Sequence, residues 1–403
     1  MRVVLTNFGT LGDFRPLLIL ANELAANGCK PVLAFPPFAQ TLASEYRFEH
    51  VSIGPDLLSL RDSVNASWSH MAGIYESSDQ MAALLMPFRD AFDQTFSDLT
   101  DVCRDADLLI SGPGQPLARI VHELTGIPFV SIQVSHFGGS GGPALRDAGD
   151  QLINPFRRKL GLPAINDPLT AGTNSPQLAI YAMSKHLRPR PADWPAHYRQ
   201  TGFFFDRHAL LSGIDPMLVR FVEEGEPPVV VTLGSMVHRE CEALAKLLAD
   251  AMYAAGVRAV IQGFTEPSNW SGKSDAVYWA GFVPHEWIFP RAACIILHGG
   301  AGTAAYTFDS GVPGIFVPHG DCYDQRYWGQ LAWEIGCAVP PIPYGELSLE
   351  LLTDAITATM NNEQLRSAAG ALGEKVRKEP GVRLAAKLVH EYAIQVGVCQ
   401  DVC

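Results

Sequence analysis

His298-Gly299-Gly300-Ala301-Gly302-Thr303 has the residue types and spacing of an anion cradle. An apolar run, Cys294-Ile295-Ile296-Leu297, precedes it, and a helix-like segment, Ala304-Ala305-Tyr306-Thr307-Phe308, follows. A buried strand passing through a glycine turn into a helix leaves unpaired backbone N–H groups at the helix start, where the helix dipole adds partial positive charge. Phosphate suits that arrangement. Glycine lets the backbone come close, Thr303 offers a hydroxyl, and His298 can supply a proton or a hydrogen bond. The same residues also read as a glycine-rich turn with no ligand, and the local sequence does not choose. Gly234-Ser235, after the apolar run Val229-Val230-Val231-Thr232-Leu233, is a second source of donors, so two stretches together suit a diphosphate. Another apolar strand, Gly314-Ile315-Phe316-Val317, leads to Pro318-His319-Gly320-Asp321-Cys322-Tyr323-Asp324-Gln325. There the adjacent acid and amide, Asp324 and Gln325, can grip neighbouring sugar hydroxyls, because the carboxylate accepts and the amide both accepts and donates. The alternative for that loop is a solvated turn.

Asp13 is the candidate base. With a reference pKa of about 3.9 it cannot deprotonate an alcohol beforehand. It can take the proton as the oxygen attacks, worth roughly a hundred- to ten-thousand-fold in rate. Placed just before Phe14-Arg15-Pro16, it also fits a helix N-cap or a partner for Arg15. Asp105 and Asp107 are spaced like a small carboxylate pair but precede an apolar strand, where polar turn residues belong. No CxxC, HxxxH or HExxH pattern occurs, so no metal site and no cofactor are expected.

These side chains need a scaffold that alternates strand and helix. Val3 to Thr6, Pro31 to Phe35, Ala106 to Gly112 and Pro128 to Ile132 read as buried strands. Helices are expected over Pro16 to Ala26 and about 116 to 125. After a charged bridge at 223–228 the rhythm resumes: strands at 229–233, 257–261, 276–280 and 294–297, and a helix over about 240 to 255. Two α/β domains with parallel sheets follow, bounded at 1–205 and 206–383. Ligands of such sheets bind beyond the carboxyl ends of the strands. A cleft between the domains would then be lined by Asn7 to Asp13, Ser235, His298 to Thr303 and 318–328. Residues 56–100 break the rhythm with Trp68, Met71, Tyr75 and Met86 among other large apolar side chains. These suit an apolar pocket as well as an ordinary helix core. Residues 136–176, rich in Gly, Pro, Asn and Asp, read as loop, with Phe137 as a further pocket candidate.

The chain has 403 residues, 47% of them hydrophobic and 18% charged, as in a soluble globular protein. Its 30 basic and 42 acidic residues give a formal charge of -12. That argues against a general nucleic-acid or anionic-membrane binder, and makes any bound anion depend on local donors. No apolar run reaches a membrane span and the first residues do not read as a signal peptide, so a cytoplasmic protein with reduced thiols is expected.

Taken in order, Gly9-Thr10-Leu11-Gly12-Asp13, Gly234-Ser235-Met236, Phe282-Val283-Pro284-His285, Leu297 to Thr303, Asp324 to Gly329 and Pro341-Ile342-Pro343 resemble the UDP-glycosyltransferase superfamily of GT-B glycosyltransferases. The resemblance is strongest to the sterol-glucosyltransferase-like and glycopeptide-antibiotic branches. It implies a GT-B fold: two Rossmann-like domains, with a final helix after about 384 packing back on the first. It further implies inverting, metal-independent transfer from a nucleotide sugar, with UDP or dTDP as the nucleotide, to a lipophilic acceptor held by the N-terminal domain, in a monomer or homodimer. By position Asp13 is the base. Ser235, His298, Gly300, Gly302 and Thr303 hold the diphosphate, Phe282 and Val283 meet the nucleobase, and Asp324 and Gln325 meet the donor sugar. Two departures stand out. Tyr306 occupies the place of a ribose-binding Glu in plant-type members. The loop from Pro318 to Asp324 is two residues longer than usual, which makes Asp321 a second candidate for the sugar contact. Two rival readings are a nucleotide-sugar epimerase or dehydrogenase on a similar sheet, and a non-catalytic nucleotide-sugar-binding partner of a true enzyme.

Overall fold

Val3, Val4 and Leu5 are fully buried, as are Val229, Val230 and Val231. Short strands that are apolar at every position have no solvent face, so they belong in the middle of parallel sheets covered on both sides. The computed structural model, which describes residues 1–9, 11–55, 89–134, 142–207, 213–234, 241–272, 274–319 and 324–399, has that arrangement twice. The first sheet is built from β1 (Arg2–Thr6), β2 (Lys30–Phe35), β3 (Glu49–Ser52), β4 (Leu108–Ser111), β5 (Phe129–Gln133), β6 (Leu178–Tyr181) and β7 (Tyr198–Gln200). Its order is β3-β2-β1-β4-β5-β6-β7. The second contains β8 (Val229–Thr232), β9 (Ala259–Gln262), β10 (Val277–Ala280), β11 (Cys294–Leu297) and β12 (Gly314–Phe316), in the order β10-β9-β8-β11-β12. The pairs are parallel, with Leu5 opposite both Leu33 and Ile110, and Leu297 opposite both Thr232 and Phe316.

Each order reverses once. The chain runs outward from β1 through β2 to β3, then returns to β4 on the other side of β1. In the second sheet it runs from β8 to β10 and returns to β11. At such a switch point the loops leaving two neighbouring strands depart in opposite directions and open a crevice at the carboxyl edge. The segments Asn7 to Gly9 and Gly112 to Gly114 leave one switch point. Those carrying Gly234 and His298 to Thr303 leave the other.

The described residues form two units, one from 1–205 and 379 onward, the other from 206–378. The first unit's core joins α1 (Leu11–Ala26) to the last helix. Leu17, Leu18, Leu20, Ala21 and Leu24 of α1 share one apolar cluster with Ala385, Ala386, Leu388, Val389 and Tyr392. Each fully buried leucine there contributes about 1.5–3 kcal/mol of transfer free energy. Two elements differ from the sequence reading. α1 begins at Leu11, not at Pro16, so Asp13 lies inside its first turn instead of capping it. Gly9, at φ 137, turns the chain sharply after β1, and the helix starts two residues later. Pro16, without an N–H, forgoes a single helical bond. The loop expected over 136–176 contains an 18-residue helix, α3 (Gly142–Lys159), which follows α2 (Leu117–Thr125). Its Leu152, Ile153 and Phe156 recur at helical spacing and pack on Leu117 and Ile120 of α2. Arg157, buried on the same side, is held by Glu123 at 2.6 Å. Packing of this face overrides the weak helix propensity of its Gly, Pro and Asn residues.

In the second unit α4 (Ala301–Ser310) follows β11, α5 (Gln325–Glu334) follows β12, and α6 (Glu363–Arg377) ends the unit. The chain then re-enters the first unit at Glu379 and forms α7 (Val382–Gln395). Glu379 is buried against Gly202, where a Cβ would lie 2.9 Å from its own. It accepts the Lys185 N–H at 3.1 Å, and His186 Nε2 lies 3.9 Å away. Burial raises its carboxyl above the usual glutamate value; the Ser184 hydroxyl, the Lys185 N–H and the nearby positive charge oppose that only in part. A carboxyl whose folded-state pKa is raised stabilises the fold below its unfolded pKa and loses that contribution as pH rises through the folded value. Glu379→Gln, which stays neutral, is therefore expected to gain stability relative to the unsubstituted chain between pH 4 and pH 7. Urea unfolding at the two pH values checks this, and a relative loss would show that the buried charge is compensated.

Candidate active site

In the first unit, the polar residue immediately after β1 organises the switch point. Asn7 is fully buried. Its Nδ2 donates to the Asp13 carbonyl at 2.8 Å, and its Oδ1 accepts the Gly114 N–H at 3.0 Å. One side chain thus ties the end of β1 to the first turn of α1 and to the loop after β4. A Cβ at Gly112 would fall 2.4 Å from Asn7 Cγ, so that loop comes this close only as glycine. Gln115, also buried, reaches Thr6 Oγ1 at 3.4 Å behind it. The Asp13 carboxylate lies on the backbone of Gly9: a Cβ there would be 2.3 Å from Asp13 Oδ2. Asp13 is half-buried. It stands in the first turn of a 16-residue helix.

In the second unit, Gly300 is the N-cap of α4, with φ -60 and ψ 144, and its carbonyl accepts the Ala304 N–H at 2.9 Å. The N–H groups of Ala301, Gly302 and Thr303 therefore start the helix with no acceptor one turn back. The Ala301 N–H donates to Asp324 Oδ2 at 2.8 Å. His298, buried at the end of β11, has its imidazole between two glycines from different strand ends. A Cβ at Gly234 would be 2.6 Å from His298 Cε1, and one at Gly300 would be 2.5 Å from Nε2. Gly234 also has φ +73, in the left-handed region. His319 lies 6.3 Å from His298 between ring centroids and stacks on Tyr344 at 4.4 Å. Gln325 gives its Oε1 to the His319 N–H at 2.8 Å, and its carbonyl closes on Gly299, where a Cβ would lie 2.6 Å away.

Phe282 and Val283 follow β10. Phe282 is 64% exposed, with its ring 5.9 Å from that of His285, while Val283 is buried. The Val283 N–H is taken by Gln262 Oε1 at 3.1 Å, so a nucleobase meeting this residue would meet its carbonyl. Tyr306 is buried in α4, its hydroxyl accepting the Asp206 N–H at 3.3 Å. Beside it Arg207 forms a two-bonded pair with Asp309 at 2.8 and 2.7 Å.

The second unit thus assembles His298, Gly300, Gly302, Thr303, Asp324 and Gln325 around one helix start, and Gly234 from the second expected donor stretch joins them. Phe282 and Val283 occupy the end of the same sheet. Ser235, Asp321, Trp68, Met71, Tyr75, Met86 and Phe137 lie outside the described residues. Gln262 escaped the sequence reading, and Asn7 and His319 entered it only as part of the cleft lining, without the bonds they make here. The available signal was a polar residue closing an apolar strand, as at Asn7 after Leu5-Thr6 and Gln262 after Val260-Ile261. Among the described residues no three His, Cys, Asp or Glu side chains gather closely enough to hold a metal ion. No described helix is long and apolar enough to cross a membrane.

Two sheets of parallel strands, each with one reversal of strand order, are the fold of solved GT-B glycosyltransferases. The solved glycotransferase of kitacinnamycin superposes with a TM-score of 0.76 over 97% of this chain and 99% of its own, at 18% identity. The family described as "Erythromycin biosynthesis protein CIII-like, C-terminal domain" matches residues 265–390. Sterol 3-beta-glucosyltransferase UGT80A2 of Arabidopsis thaliana is 34% identical over 54% of this chain. The chain spans only 33% of that relative's length. The O-mycaminosyltylonolide 6-deoxyallosyltransferase of Streptomyces fradiae is 28% identical over 98% of both chains. The chain therefore has the GT-B fold and is similar in sequence to these glycosyltransferases.

The packing of His298 leaves no room for a side chain at Gly234. Gly234→Ala adds a methyl against the ring and forces an L side chain into the left-handed region, together costing about 1–3 kcal/mol. Urea unfolding of the variant measures it, and a loss under about half a kcal/mol would mean the ring moves aside without cost.

Proposed function

We propose that this protein is an enzyme that transfers a sugar from a nucleoside diphosphate donor to a hydroxyl group of a lipophilic natural product or sterol-like acceptor. The anomeric configuration inverts, and no metal takes part. The observation that carries the reading is the helix start at Ala301 to Thr303 with His298 packed beside it, at the switch point of the second sheet. A leaving diphosphate gathers negative charge as the C1–O bond breaks. Preorganised N–H groups, the Thr303 hydroxyl and the His298 imidazole supply donors for that charge without reorganising at the moment of reaction. On a chain of charge -12 such local donors are what an anionic substrate needs.

In this mechanism the acceptor oxygen attacks the anomeric carbon from the face opposite the leaving group. A new C–O bond forms as the bond to the β-phosphate oxygen breaks. The acceptor's proton passes to the Asp13 carboxylate and then to solvent. Asp13 suits that task because its backbone is pinned through Asn7 and its carboxylate lies against Gly9, so few conformations must be given up to reach one geometry. Phe282 and the Val283 carbonyl receive the nucleobase, with Ser235 among the diphosphate ligands. Asp324 and Gln325 meet the sugar, and Asp321 is the alternative from the longer loop. Tyr306 offers a phenol where a carboxylate would accept two ribose hydroxyls, so that contact does not select uridine, and the nucleotide is UDP or dTDP. The acceptor is lipophilic, with Trp68, Met71, Tyr75, Met86 and Phe137 as pocket candidates.

A mass-spectrometric screen of UDP- and dTDP-sugars against hydrophobic alcohols and phenols tests the proposal, with a glycosylated acceptor as the expected product. In the productive pair Asp13→Asn is expected to lower turnover by roughly a hundred- to ten-thousand-fold while leaving nucleoside diphosphate affinity within about twofold. Full turnover in that variant would remove Asp13 from the mechanism. Donor binding without transfer or hydrolysis in any combination would make the chain a binding protein.

A further inference from the structure

Asp324 stands at the N-cap of its own helix, α5, yet its side chain accepts no bond there. Aspartate is among the strongest N-cap residues, because its carboxylate ordinarily takes an N–H of its own first turn. Here only the backbone carbonyl serves α5, accepting the Trp328 N–H at 2.9 Å. The carboxylate is turned to α4 and accepts the Ala301 N–H at 2.8 Å. The next residue is fixed by two contacts. Gln325 Oε1 is bound to the His319 N–H, and the Gln325 carbonyl is seated on Gly299 at the base of the same turn. The negative group sits on the first donor of the helix start to which the donor diphosphate has been assigned.

Resting on that donor-site reading, we propose that Asp324 is an internal competitor for the diphosphate: its carboxylate stands in for a phosphate oxygen at Ala301 and is displaced when a nucleotide sugar binds. Displacement frees the carboxylate beside the incoming sugar, whose hydroxyls are donors that can satisfy it. A nucleotide sugar thus replaces the lost Ala301 bond, and a bare nucleoside diphosphate does not. The device favours the sugar-bearing substrate over the sugar-free product, which helps the product leave after each turnover. It acts through charge: a carboxylate and a phosphate oxygen about 4 Å apart repel by about 1 kcal/mol even in water, which corresponds to about fivefold in affinity.

Isothermal titration calorimetry of UDP, dTDP and their glucose conjugates against the full chain tests this. Asp324→Asn keeps the shape and removes the charge, and Asp324→Ala removes the group. Both are expected to bind the sugar-free nucleotide about fivefold more tightly. The glucose conjugate is expected to gain less than the free nucleotide does, or to lose affinity. The nucleotide gain is also expected to shrink between low and high salt, because charges near solvent are screened. Thermal unfolding of each variant establishes that it is folded at the titration temperature. If both folded variants bind UDP and dTDP as the unsubstituted chain does, or more weakly, Asp324 does not compete and the inference is overturned. If neither nucleotide binds the unsubstituted chain, the donor site itself is misassigned and this inference falls with it, a result reached without any variant.

Discussion

The imidazole of His298 closes on the backbone of Gly234 and Gly300 so tightly that neither position has room for a methyl group. This contact couples the ends of β8 and β11, which are neighbours in the sheet but far apart in the chain. It depends on the reversal of strand order, since only there do two adjacent loops part and leave space for a ring between them. It also sets the direction of α4, because Gly300 is both a wall of the histidine's slot and the N-cap of that helix. A change in either glycine would move the ring and the helix start together.

The first sheet solves the same geometric problem with an amide. Asn7 fills the space at the reversal between β1 and β4, and its two polar ends are used by Asp13 and Gly114. A fully buried amide is costly unless both ends are satisfied, and satisfied it is worth more in fixing one conformation than in net stability. Asp13 inherits that rigidity through its own backbone. The two reversals therefore provide different chemistry on a common plan: a carboxylate at a helix start in one unit, and helix-start N–H groups with a histidine in the other.

Charge runs through the second site in a way that its composition does not suggest. A chain of -12 has no broad positive field to attract a diphosphate. What it has is local: the N–H groups at the head of α4, a buried histidine, and the rest of the helix dipole behind them. Asp324 adds a negative group to that same place. The acid and amide at 324 and 325 are thereby tied to the start of α4 and to the end of β12.

Much of the scaffold was legible in the residues. Apolar runs such as Val229-Val230-Val231 can be nothing but buried strand once they are too short for a helix core and bounded by Pro and Gly, and the glycine turn at His298 to Thr303 announced a strand-to-helix corner. The helix over 142–159 was not legible, because its Gly, Pro and Asn residues argue for loop and only the face made by Leu152, Ile153 and Phe156 argues for helix. That face has meaning only when Leu117 and Ile120 are there to receive it. The same holds for the site. The sequence by itself determined which residue types stand at strand ends: a carboxylate after β1, glycines and histidine after β11, an acid and amide after β12. Only the tertiary structure decided that Gly234 and Gly300 share one histidine, that Asn7 pins Asp13 inside a first turn, and that Asp324 turns away from its own helix to another. Parallel strands are joined by long crossovers, so neighbours in the sheet are distant in the chain, and no local pattern encodes which ends will meet.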